Sequence, residues 1–454
     1  MFDEAFDIGQ QVIQNSNKKG IKEIEIYFSY NNDKELTING KSISTQRAKE
    51  ELGAGIRVIE NGSQGFSFTN IISKQELQKC VNEAFQIAKK ATKIDGIGFA
   101  PKQKYQEIHG IYNKELTDLT IDEITEDGLA FIDGYTGIDE RISTVLSSIG
   151  VNTSGVGILN SNGVNAVRKN ASYQAGLLTV ASEKEKSGAF IFDTIFSRNH
   201  DVDLKAIGEK LGKKAIDNLN QVSIKQFDGE VILQSDAMLN PIGIVIALAV
   251  SADWRQRGIS FWKDKLADKV ADERLNFYDK PFDISGGAGV RQFDDEGNVT
   301  NEIAIIKDGV LQTFLHNQRT ANKENLKSTG NAQRGGGGGP AFQQLPNGIF
   351  PNNSWIAPGD MSEEEMIAET KKGIIVHSFT GTVRQQNGIF SGVAKGAYLI
   401  ENGEIVSPVT GVSISGNVFE IINQITGIGK ELKLTGNLLN TPIMKFEGIK
   451  ISTK

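Results

Sequence analysis

Apolar residues recur at three- and four-residue steps from Phe2 through Ala5, Phe6, Gly9, Val12 and Ile13, which predicts an amphipathic helix stopped at Lys19-Gly20. The period then changes to two. Glu23 to Tyr30 (EIEIYFSY) alternates as a strand does, and Glu35 to Asn39 reads as a second strand before the Asn39-Gly40 turn. Gly53 to Phe68 reads as a hairpin with Asn61-Gly62 at its tip. Ser73 and Glu76 form a capping box for a helix over residues 74–91, and Thr120 and Glu123 cap another that reaches Asp133. Between them, residues 91–112 have little periodicity and read as a connection. Residues 140–200 alternate in segments broken by Asn-Gly and Ser-Gly pairs, an antiparallel meander, and Asp203 to Asn218 predicts a helix.

Asp228-Gly229 reads as the hinge into the second half. The following stretch, Glu230 to Ala252, starts with strand-like alternation and passes into the apolar run Ile242–Val250, too short for the ~20 residues a membrane-crossing helix needs. It predicts one buried, packed element. Asp308-Gly309 and Glu401-Asn402-Gly403 mark hairpins, and Ser362 with Glu365 caps a helix to Lys372. Ser415-Gly416-Asn417 opens a helix expected to end near Gly427. Ser328 to Pro340 contains five consecutive glycines and is expected to be the most flexible piece. The whole pattern predicts an α+β protein. Helix-and-antiparallel-sheet subdomains over residues 1–92 and 93–226 precede a larger β-rich C-terminal domain over 227–454.

Charge and composition narrow the function. A formal charge of −7 over 454 residues argues against a general nucleic-acid binder, which needs a clustered basic surface. The single cysteine, Cys80, excludes an internal disulfide and a multi-cysteine metal cluster, fits a reducing compartment, and is expected to be a small core residue. The N-terminal residues lack a secretory pattern and no apolar run reaches membrane-spanning length, so a cytoplasmic protein is expected.

Candidate chemistry is sparse. His109, His200, His316 and His377 are too far apart in sequence to form a helical zinc pair. No Gly-x-Ser-x-Gly elbow is present, and the run Gly335–Gly339 is followed by Pro340-Ala341 where a phosphate loop would place Lys and Ser. Asp294-Asp295-Glu296 offers oxygen ligands for a divalent cation, or carboxylates for an independent hydrolase. A solvated turn is the favoured reading of that tract.

Several segments carry a resemblance: GAGIRVIENGSQGFS, FDDEGNVT, IKDGVLQTFLHNQRTA, STGNAQRG and SGVAKGAYLIENGEIVSPVTGVSISGN. With these the chain resembles the TldD/PmbA family, known also as peptidase family U62 or "modulator of DNA gyrase", and within it the PmbA/TldE-like branch. In the TldD branch a helix carries His-Glu-Ala-x-x-His, which supplies two zinc ligands and a general base. Placed by the shared Ala-Val pair, the two histidine positions fall on Ala247 and Ala252 and the glutamate position on Leu248. Alanine and leucine supply no lone pair for a metal and no base for water.

The resemblance implies a non-catalytic subunit that holds no metal itself and pairs with a zinc-bearing TldD-like subunit to degrade or mature peptides. A homodimer that binds peptides or proteins without a metal is the alternative. Either would hold an extended peptide by strand addition. Arg334, Gly335 and Gly336 are the expected substrate-binding rim. Neither nucleic acid nor a membrane is an expected partner.

Overall fold

The computed structural model describes residues 2–335 and 339–453. Helix α1 (Phe2–Lys18) leads into two long strands, β1 (Glu23–Gly40) and β2 (Ser42–Glu60), followed by β3 (Ser63–Thr69) and α2 (Lys74–Ala88). The two strands read separately at Glu23–Tyr30 and Glu35–Asn39 are one. The polar stretch between them, Asn31 to Lys34, is held in the ladder by β2 on one side and by β4 (Ile142–Asn160) on the other. β4 in turn pairs with β5 (Asn165–Glu183). Strands β3, β2, β1, β4 and β5 thus form one continuous antiparallel sheet, extended on the β5 side by Ile191–Ser197.

Two hydrophobic cores lie along this sheet. Ile24, Ile26 and Phe28 of β1 pack with residues of α1 and α2, and Leu36 and Ile38 of the same strand pack with helices Ile121–Ile138 and Leu204–Asp217. Side chains of a strand alternate between faces, so the intervening positions point the other way. Tyr27 lies there, clustered with Phe293 and Phe342 from the second half of the chain. Cys80 is buried in the α2 core, the small apolar role read from the sequence.

The second half is built from sheets of seven, six, four and two strands, among the described residues, around one large core. The element expected over Glu230–Ala252 is divided. Strand Glu230–Leu233 is central in its sheet, a π-helical turn at Leu239–Gly243 contains Pro241, and helix Ile244–Ala249 ends before helix Ala252–Gln256 begins. Proline removes a main-chain donor, and such irregular turns are where helices bend. Two further expectations change. The helix after Asn417 spans only Val418–Ile421, because Ile425–Ile428 joins a sheet edge. Within the segment read as most flexible, Ala332–Gln333 is a strand paired with Gly348–Ile349.

Candidate functional site

Ala247, Leu248 and Ala252, the positions on which the sequence resemblance places the zinc motif, sit at the break between the two short helices. Ala247 ends up on the first helix and Ala252 opens the second, with relative exposures of 1% and 0%. Two main-chain hydrogen bonds fix this break: Ala252 N donates to Leu315 O at 2.9 Å, and Leu315 N donates to Val250 O at 2.8 Å. Leu248 is half-buried and lines a cleft of about 370 Å³ together with Ser251, Asp253, Trp254, Gln333 and Gly335. Asp253 at this cleft is tied to two guanidinium groups, Arg319 at 2.5 Å and Arg257 at 3.2 Å. No cluster of three or more His, Cys, Asp or Glu able to hold a metal exists among the described residues. The donor set does not fit zinc: methyl and isobutyl groups stand at the ligand and base positions.

A second assembly lies behind the cleft wall. The acidic tract read as a solvated turn is buried, with Asp294, Asp295 and Glu296 at 0, 5 and 2% exposure. Burial of this much charge is tolerated because each carboxylate meets donors. Asp294 accepts from the main-chain N–H groups of Glu296 and Asn298, both at 2.9 Å, and of Ala332 at 3.0 Å. Asp295 accepts from Arg168 of β5 at 2.7 Å and from the main-chain N–H of Arg334 at 2.8 Å. Glu296 accepts from Gln318 N at 2.7 Å and from Arg57 of β2 at 3.4 Å. Burial pushes the Asp294 and Glu296 carboxyls above their ordinary range, and their mutual repulsion adds to the rise at Glu296. Burial acts on Asp295 in the same direction, but Arg168 and Arg291 outweigh it and hold that carboxyl low.

Arg334 belongs to this buried assembly and not to an exposed rim. Its guanidinium donates to Glu25 Oε1 at 2.7 Å and to Gln344 O at 2.6 Å, and it lies 4.1 Å from the ring centre of Tyr27. Glu25 also receives a two-pronged pair from Arg57, at 2.8 and 2.7 Å. Gly335, the next residue, is exposed and lines the cleft with φ +148°, a region that favours glycine. Gly336 lies outside the described residues. Adjacent residues therefore face opposite ways, one into the joint between the two halves and the other into the cleft.

Glu25, Arg57 and Arg168 were not singled out from the sequence. A usable signal was present in the alternation itself: Glu25 and Arg57 each interrupt a run of β-branched residues, on strands whose other face is apolar.

Family profiles decide the kinship. Three described as PmbA/TldA metallopeptidase domains match in order: domain 1 over residues 24–88, the central domain over 114–219 and the C-terminal domain over 228–453. The chain belongs to the PmbA/TldD family. Within this family it is 28% identical to Metalloprotease MJ0996 of Methanocaldococcus jannaschii over 403 residues, 84% of each chain. It is 30% identical to the Metalloprotease PmbA homolog of Buchnera aphidicola over 282 residues, 62% of this chain and 59% of that one. The solved structure of TldE from Thermococcus kodakarensis superposes with a TM-score of 0.91 at 24% identity, covering 98% of this chain and all of the other. That likeness shows a shared α+β fold. Among the described residues, no helix is long and apolar enough to cross a membrane.

Proposed function

We propose that this chain is the non-catalytic, PmbA/TldE-like subunit of a TldD/TldE-type zinc peptidase that degrades or matures peptides. The observation that supports this most is the side-chain set at the motif positions: Ala247 and Ala252 packed out of solvent, with Leu248 facing the cleft. Chemistry that needs a metal and a base has no donors here, so a zinc-bearing partner supplies both. The cleft, walled on one side by the short ladder of Ala332–Gln333 and Gly348–Ile349, is the surface this subunit contributes to peptide handling. Arg334 acts indirectly, by fixing the main chain that carries Gly335.

An independent hydrolase built on Asp294, Asp295 and Glu296 is disfavoured by their burial and by the arginines and main-chain N–H groups bound to them. The deciding experiment is co-expression with a TldD-like subunit. Co-purification with peptide cleavage, and no cleavage by this chain alone, is the expected result. Stoichiometric zinc and peptidase activity in the isolated chain would overturn the reading.

A further inference from the structure

Strand β2 is longer than the strand that covers it. Its pairing with β3 runs from Glu60 opposite Ser63 to Ala54 opposite Thr69 and stops there. From Gly53 back to Ser42 the strand pairs with β1 alone, and its other edge carries no strand among the described residues. An open edge presents a row of main-chain N–H and C=O groups, a template for another extended segment.

Among the described residues, no strand fills the line that β3 vacates. A groove of about 760 Å³ lies there, bordered by Glu50 and Glu51 of β2 and by Glu76, Lys79 and Glu83 of α2. Phe68, 48% exposed, also lines it and contacts Phe342 edge-on with ring centres 6.3 Å apart. Lys79 meets Glu76 at 3.3 Å and Lys49 meets Glu51 at 3.2 Å, so part of the charge is answered locally. The groove itself still sets four glutamates against one lysine.

We propose that this edge is a docking site for an extended peptide segment bearing lysine or arginine, which adds to β2 antiparallel and in line with β3. Main-chain bonds to β2 supply the grip, the glutamates choose the charge, and Phe68 receives an apolar side chain. A second copy of the same edge is the poorer occupant, because it would bring its own Glu50 and Glu51 against these four carboxylates. The site is separate from the cleft at Leu248 and needs neither a partner subunit nor peptide cleavage, so it stands or falls independently of the function proposed above.

Fluorescence anisotropy on the full chain tests it, with a short labelled peptide that alternates lysine with valine or threonine. Saturable binding is expected, weakening as salt rises. Affinity is expected to fall about tenfold, or about 1.4 kcal/mol, when alternate peptide nitrogens are methylated, and by a similar factor for the surface variant Glu76→Gln/Glu83→Gln. The proposal is overturned if a glutamate-substituted peptide binds equally well, if methylation leaves affinity unchanged, or if no saturable binding appears. Sedimentation of the same variant completes the test: unchanged self-association is expected, and enhanced self-association would make a second copy the occupant and overturn the proposal.

Discussion

Arg334 Nη2 lies 2.7 Å from Glu25 Oε1, although the two residues are 309 positions apart and neither side chain is exposed. Each partner is thereby left without solvent as an alternative. Arg334→Ala is expected to cost about 3 kcal/mol, since it removes one of the two guanidinium partners of a buried carboxylate and leaves Arg57 as the other. Replacing both, as Glu25→Gln with Arg334→Met, is expected to cost less than the sum of the single changes. Denaturant midpoints for the four proteins check this, and simple additivity would contradict it.

Glu296 gives the joint a pH dependence of definite sign. Its carboxyl is raised in the folded state by burial, with Asp294 adding repulsion and Arg57 opposing. A raised carboxyl stabilises fully below its unfolded pKa, and that contribution is lost as pH rises through the folded value. The Glu296→Gln variant is therefore expected to show a flatter stability profile above the ordinary glutamate range. Thermal melts at a series of pH values would show a parallel profile if Glu296 plays no part.

The motif positions resist restoration unequally. Ala247→His and Ala252→His each force a larger, polar ring into a site that is essentially closed, at an expected cost of about 1–3 kcal/mol. Leu248→Glu is expected to be nearly neutral, because that side chain already faces the cleft. Melting temperature reports all three, and a histidine variant as stable as the parent would show that the break has room.

Cys80 is 3% exposed and its thiol is pushed up by burial, while its Sγ faces the main-chain oxygen of Phe68. Alkylation by iodoacetamide is expected to be slow in the native protein and fast in denaturant. Mass spectrometry before and after denaturation reads the difference, and rapid native labelling would place the thiol at the surface.

Local pattern carried much of this architecture. Ser73, Thr120 and Ser362 each accept from the residue three places on, with the reciprocal glutamate bond of a full box at Thr120 and Ser362, and the Asn61-Gly62 turn joins β2 to β3 with Asn61 at φ +51°. The placement of the motif on Ala247, Leu248 and Ala252 rests on sequence resemblance, and the structure adds that two of these side chains are buried while Leu248 lines a cleft. Non-local burial was not legible. A run of three acids reads as a surface turn unless one knows that Arg57 and Arg168, far off in sequence, converge on it. For the same reason Arg334 read as part of a loop, when its side chain closes the joint and only Gly335 reaches the cleft. The division of Glu230–Ala252 came from Pro241 and from the bond to Leu315, one visible locally and the other not.

Strand β1 lies between β2 and β4 and contributes side chains to both cores of its sheet. That arrangement has a consequence in time as well as in space. As the chain is synthesised, residues 2–88 emerge with α1, α2 and three strands ready to fold, but one full edge of β1 must wait until Ile142–Asn160 has been made. During that interval an 18-residue hydrogen-bonding edge stands open to any other nascent chain. Pairing with β4 is what closes that edge.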